Sequence, residues 1–221
     1  MHNNNKANGV NVRIVKHNPV SFKPWGKGAG KVCEIYRFPE TASDKDYSVR
    51  FSTATIEVPE SDFTLYPGYI RHHRTLRGAC VFEIHASDNN TLVDQSGTVF
   101  DFSGDTQLKC KLTTASAFAI NLIHHPQVNV SDRVVEVNAK NMNLDELVTS
   151  FVGLLNPCSK IFNIIYVVEG ELRLDETVKD QQCSLAAGDT IIIASDSKGL
   201  DDHAWCVIDC AATIYHGVAV I

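Results

Sequence analysis

Residues Ile165–Glu176 read IYVVEGELRLDE, and a few residues later Cys183–Ser195 read CSLAAGDTIIIAS. Aliphatic and β-branched residues at this density, broken by single glycines and lacking helical spacing, describe three short strands joined by tight turns. One strand ends at Gly170 and a second follows it. Gly188-Asp189 then launches a third, with Gly supplying a positive φ and Asp bonding backbone N–H groups. The same succession occurs earlier, in RTLRGACVFEI (Arg74–Ile84) followed by VFDFSGDTQLKCKL (Val99–Leu112), where Gly78 and Gly104-Asp105 take the matching places. Two copies predict two β units in one chain.

The flanking sequence agrees. Strand-like runs recur at 12–17, 31–38, 47–58, 116–124, 133–139, 204–210 and 213–221, punctuated by Pro39-Glu40, Pro59-Glu60, Pro67-Gly68 and Asp88-Asn89-Asn90. Many short strands at this spacing mean a sandwich or barrel. One segment departs from the pattern. Asn143 suits an N-cap, Asp145 and Glu146 fill a first turn, and Leu144, Leu147, Val148, Phe151 and Leu155 recur at helical spacing up to Asn156-Pro157, predicting a helix over about 143–155. Residues 1–10 are polar and Asn-rich and read as a disordered arm. The expected division is a first barrel over 11–140 and a helix with a second barrel over 141–221, with strand exchange between the barrels allowed.

Composition limits function. A chain of 221 residues with 44% hydrophobic content buries a full core. A formal net charge of −6 gives no general attraction to nucleic acid or to an anionic membrane, so anion recognition has to be local. No apolar run suits a signal peptide or a membrane span, and a cytoplasmic location is expected. Seven scattered cysteines without a CxxC read as reduced thiols rather than disulfides or a zinc site. The Gly26–Gly30 loop lacks GK[ST] and is no phosphate loop; it reads as a close backbone approach, or as a loop placing Trp25 and Lys27 at a pocket mouth.

Against the acidic total, Tyr47–Gly78 concentrates Arg and His. Strand alternation places Ser48, Arg50, Ser52 and Ala54 on one face, and Arg71, His73 and Thr75 on one face of a later strand. The first face either meets solvent or leaves room for a ligand in a barrel lumen. A buried Arg71 either pairs with an internal acid such as Glu34 or Asp105, or presents its fork to a ligand carboxylate, because an unpartnered buried cation costs too much. Asn121 offers donor and acceptor. Glu34 could accept a proton or an imidazole N–H, and Phe63 with Trp25 could close the pocket. His124 and His125, and the acidic pairs Asp175-Glu176 and Asp201-Asp202, read as loop residues.

The arrangement VVEGELRLD followed by LAAGDTIII resembles the cupin pattern, and its doubling a bicupin: all-β, two double-stranded β-helix barrels in one chain with one short helix. That resemblance places a metal-binding Glu seven residues before the strand-end Gly in catalytic cupins; here the position holds Arg71, and in the second half Asn163. The other ligand slots hold Leu65 and Pro67 (or Thr64 and Tyr66), Ala115, Pro157, Ser159 and Gly199, so neither a metal nor any other cofactor is expected. Trp25-Gly26-Lys27-Gly28-Ala29-Gly30 with Glu34, then Arg50, Ser52, Ala54, Phe63, Pro67-Gly68, Arg71, Gly78, Gly104-Asp105 and Asn121, resemble the HutD/Ves family, bicupins associated in bacteria with histidine utilisation. Lys27, Ala29 and Val32 depart from the family's Asn, Gly and Thr. The resemblance implies a ligand-binding protein that is not an enzyme, holding a small carboxylate such as urocanate or a formylated glutamate derivative through Trp25, Lys27, Glu34, Arg50, Ser52, Phe63, Arg71, His73 and Asn121, as a monomer or homodimer. The competing expectation is a metal-independent isomerase or lyase with Glu34 or His73 as acid/base.

Overall fold

The structure, a computed structural model, describes residues 5–7, 10–44, 46–84, 91–95, 98–143, 159–176, 181–196 and 205–221. It is all-β and divides into two compact units, Asn18–Val128 and Met1–His17 with Asn129–Ile221.

The Asn18–Val128 unit contains β3 (Lys23–Trp25), β4 (Gly30–Phe38), β5 (Val49–Ile56), β6 (Glu60–Asp62), β7 (Ile70–Arg77), β8 (Ala79–Ile84), β9 (Thr91–Gln95), β10 (Val99–Ser103), β11 (Leu108–Leu112) and β12 (Ala117–His124). They form one sheet in the order β10-β7-β12-β5-β4-β3 and another in the order β6-β11-β8-β9. Consecutive strands β7 and β8 belong to different sheets, and Gly78 makes the step between them. Its φ is +77°, and a Cβ there would lie 2.2 Å from the Ser116 carbonyl oxygen, so no other residue fits without displacing backbone. Ile56, Phe63, Cys80, Phe82, Leu108, Cys110 and Ala117 form the core between the sheets, with Phe100 and Phe102 packed against it.

The second unit contains β1 (Asn5–Ala7), β2 (Val10–Val15), β13 (Asn129–Asn143), β14 (Lys160–Glu176), β15 (Gln181–Ala186), β16 (Thr190–Asp196) and β17 (Trp205–Val220). Its sheet runs β1-β2-β16-β14-β17-β13, with β15 also on β14. Gly170 repeats the Gly78 arrangement inside β14, with φ +85° and a would-be Cβ 2.1 Å from the Ala211 carbonyl oxygen. Ile165, Val167, Leu172, Leu174, Leu185, Ile191, Ile193 and Ile214 build an aliphatic core.

Three expectations change. Residues 5–7, expected in a disordered arm, pair as β1 with β2, and β2 in turn pairs with β16, so the chain's first strands join the far unit. The boundary expected near residue 140 falls inside β13, which pairs with β17 on both sides of it, from Asn129↔Val220 to Asn143↔Cys206. The two Gly-Asp turns are not equivalent. Gly104-Asp105 joins β10 to β11 beside the start of β7, its amide donating to the Tyr69 carbonyl, whereas the Gly188 amide donates to the Val167 carbonyl at the far end of the matching strand. Asp105 accepts from the Gly68 amide and Asp189 from the His17 and Ala186 amides: one turn chemistry used at two different joints. The helix expected over 143–155 lies outside the described residues from 144 onward. Cys33, Cys80, Cys110 and Cys183 are reduced. Among the described residues no helix is long and apolar enough to cross a membrane.

Candidate ligand site

The inner face of the six-stranded sheet carries a cavity of about 460 Å³ including its open mouth. Alternation supplies its floor: Ser52, Ala54 and Ile56 from β5, Arg71 and His73 from β7, and Ala119, Asn121 and Ile123 from β12, with Val32 from β4. Trp25 and the loop residues Phe63, Thr64 and Tyr66 form the wall above it.

Arg71 anchors the arrangement. It is 7% exposed, donates Nη1 to the Thr64 carbonyl at 3.2 Å and Nη2 to Asn121 Oδ1 at 2.9 Å, and has the Phe63 ring 4.6 Å from its guanidinium carbon. Tyr66 and Phe102 add two further ring faces at 5.4 and 5.2 Å. Among the described residues no carboxylate pairs with it, and its Nε–H makes no hydrogen bond. Burial pushes its pKa down to about 10, and the nearby Arg50 charge adds to the effect against an opposing contribution from Tyr66. A buried donor left unmade costs about 1–3 kcal/mol, so this guanidinium is an expensive feature of the fold.

Asn121 fixes the neighbouring groups. Its Oδ1 also receives His73 Nδ1 at 2.9 Å, and because that oxygen only accepts, the proton lies on Nδ1. His73 Nε2 is 3.3 Å from Thr75 Oγ1, and the ring packs edge-on against Phe63 and Phe82. Trp25 is held by its Nε1–H to the Thr55 carbonyl, 2.8 Å, and meets Phe63 edge to face. Gly30 permits this approach, since a Cβ there would lie 2.0 Å from the same carbonyl oxygen.

Arg50 and Glu34 form a separate polar group beside the cavity. Arg37 reaches both Glu34 oxygens, at 2.5 and 2.6 Å, and Arg50 Nε adds a third contact at 2.7 Å. Arg37 also pairs with Asp44 at 2.8 Å, and Arg50 Nη1 donates to the Tyr66 hydroxyl at 2.9 Å. Burial raises the Glu34 pKa, but the bonds and charges of Arg37 and Arg50 outweigh it and hold the carboxyl below its usual range.

Of the residues expected at the site, Trp25, Ser52, Phe63, Arg71, His73 and Asn121 line the cavity, while Lys27, Glu34 and Arg50 do not. Lys27 lies exposed in the turn at φ +57°, a conformation that the family's Asn adopts more readily. Glu34 and Arg50 reach the cavity only through Tyr66. Tyr66 itself was not among the expected residues: it sits in an irregular loop where no periodicity points its side chain inward. Ala119 and Ile123 were readable, being two residues either side of Asn121. His124 closes β12 and is buried, where a loop position was expected; burial pushes its pKa down. Asp105 is occupied by its own turn.

The matching positions in the other unit carry different groups. Register pairs Arg71↔Ile123 and His73↔Asn121 match Asn163↔Val218 and Ile165↔His216, which places Asn163 where Arg71 stands and His216 where Asn121 stands. Asn163 and His216 are both buried and bond each other at 3.1 Å. Among the described residues no three His, Cys, Asp or Glu side chains converge as metal ligands would.

Two double-stranded β-units built on equivalent glycines define a bicupin, one of whose units carries a cavity centred on a buried arginine. The chain belongs to the HutD family, whose model matches residues 18–208. Among solved structures, a conserved protein of unknown function from Pseudomonas aeruginosa PAO1 is similar at 20% identity and TM-score 0.67, over 95% of this chain and 98% of that one. HutD from Pseudomonas fluorescens SBW25, solved in a formate condition, is similar at 18% identity and TM-score 0.60, over 93% and 97%. A tomato (Solanum lycopersicum) vicilin shares the fold at 10% identity and TM-score 0.63, over 91% and 83%. Comparison with curated proteins gives no match.

Proposed function

We propose that the Asn18–Val128 unit binds a small carboxylate reversibly, without turnover, in a regulatory or buffering role tied to histidine utilisation. The observation that carries the reading is Arg71, a buried guanidinium with no carboxylate partner among the described residues, on the floor of an open cavity. A ligand carboxylate supplies the missing countercharge, and a charge-assisted hydrogen bond in this setting is roughly twice as strong as a neutral one. Asn121 and Tyr66, which hold their partners through oxygen, keep N–H and O–H groups for the ligand's second oxygen or its polar tail. The apolar wall of Trp25, Val32, Ile56, Phe63 and Ile123 suits a compact or flat body, as in urocanate or a formylated glutamate derivative. Membership of the HutD family supplies the metabolic setting.

The groups available for acid/base catalysis favour binding over turnover. Glu34 is outside the cavity lining with its carboxyl held low, and both His73 ring nitrogens have protein neighbours within 3.3 Å. The test is a thermal-shift panel of urocanate, formylglutamate, formate and acetate with chelator present. At least one acid should raise Tm in the native protein and leave Arg71→Ala unmoved. A panel with no shift overturns the reading, as does conversion of any of these acids to product.

A further inference from the structure

We infer that Glu34, though outside the cavity, sets the site's charge preference: by neutralising Arg50 it leaves Arg71 as the one cation without a carboxylate partner among the described residues that line the cavity, and makes the pocket selective for monocarboxylates over dicarboxylates. This rests on the carboxylate-binding reading above and narrows it.

Four charged groups stand beside the cavity in one connected cluster: Arg37, Arg50, Glu34 and Asp44. Two guanidiniums and two carboxylates cancel. Arg50 touches the cavity-lining Tyr66, and two of its nitrogens are committed, Nε to Glu34 at 2.7 Å and Nη1 to the Tyr66 hydroxyl at 2.9 Å. The cluster therefore meets the cavity lining through a phenol oxygen, and it does so with its charges balanced. Of the thirteen residues lining the cavity, Arg71 is the only Lys, Arg, Asp or Glu.

One carboxylate on Arg71 brings the site to neutrality. A second carboxylate carried inside the cavity would meet Tyr66, Ser52 and an apolar wall, losing its hydration with no cation in return. Elongated acids can send a second carboxylate out of the mouth, so the selectivity applies to short diacids whose two ends both fall within the cavity. Among the acids considered above, the inference favours urocanate, with one carboxylate, over formylated glutamate, with two.

The decisive pair is succinate and its monomethyl ester, which share length and shape and differ by one charge. In titration calorimetry on the full chain at pH 7, the ester should bind at least about tenfold more tightly than succinate. Glu34→Gln, which keeps a hydrogen-bonding side chain but frees the charge of Arg50, should narrow or reverse that ratio. Should Glu34→Gln not fold, the native protein still decides the matter. Lowering the pH until the second carboxyl of succinate protonates should bring its affinity up to that of the ester. Succinate binding as tightly as the ester at pH 7, or a ratio unmoved by both Glu34→Gln and pH, overturns the inference and leaves carboxylate binding standing. If neither compound nor any other small carboxylate binds, the underlying reading fails instead.

Discussion

Replacing Arg71 with methionine should make the ligand-free protein more stable while abolishing its response to carboxylates. A guanidinium whose pKa burial holds down at about 10, well below its ordinary range, costs the fold on the order of 3 kcal/mol in its charged form. The cost is present at all pH values below about 10 and is relieved only as pH rises beyond that, because the unfolded chain holds that proton longer than the folded one. Methionine removes this cost at similar volume. It forfeits two hydrogen bonds, to the exposed Thr64 and to an Asn121 oxygen that keeps His73, together about 1–2 kcal/mol, and some cation–π attraction. The balance favours the variant by about 1 kcal/mol or leaves it level. Urea unfolding followed by circular dichroism measures this directly. In the native protein, a carboxylate at a hundred times its Kd adds about 2.7 kcal/mol by mass action, a Tm rise of roughly 5–10 °C for a chain of this size. The variant should show none. A loss of more than about 2 kcal/mol in ligand-free Arg71→Met would refute the reasoning, since it would mean that Arg71 is a satisfied structural residue rather than a site waiting for an anion.

Asn121→Asp places a carboxylate beside Arg71 Nη2, where Oδ1 now lies at 2.9 Å, and should weaken small-carboxylate binding about 100-fold by calorimetry while raising Tm without ligand. Unchanged affinity would remove Arg71 as the anchor. Gly170→Ala forces a Cβ to within 2.1 Å of the Ala211 carbonyl oxygen at φ +85° and should cost on the order of 3 kcal/mol or more in denaturant unfolding; a near-neutral result would contradict the β14 geometry. His216 is fully buried, and burial with the Arg133 charge behind it pushes its pKa down to about 4, so the unfolded chain protonates first as pH falls. Stability should drop by about 3 kcal/mol between pH 6.5 and pH 4, and His216→Gln should flatten that part of the profile. A native curve flat over the same range would show that the imidazole is accessible.

Local chemistry made much of this molecule legible. Gly78 ends β7, and Gly170, expected to end a strand, instead lies inside β14, both with a positive φ set by sterics that act within a few residues; period-2 alternation is fixed by the backbone, so Ser52 with Ala54 and Arg71 with His73 could each be assigned a face before any fold was known. The failures share a cause. Gly104-Asp105 and Gly188-Asp189 have the same turn chemistry, and a turn carries no record of which strands it joins; only the pairing of β10 with β7 and of β16 with β14 separates them. The strand Val10–Val15 looks like the start of the first barrel because sequence order is visible and sheet order is not.

The sequence by itself, through its resemblance to the cupin and HutD patterns, determined a bicupin of the HutD type and put an arginine at the position where that resemblance keeps a carboxylate. Whether that arginine is satisfied was a question of which side chains lie within 3 Å of it, and no spacing rule reaches across strands. Tertiary structure alone committed Glu34 to Arg37 and Arg50, held Asp105 in its turn, and brought Tyr66 in from a loop. Charge pairing depends on through-space distance, and so it emerged only when the sheets closed that Arg71 has no carboxylate partner among the described residues.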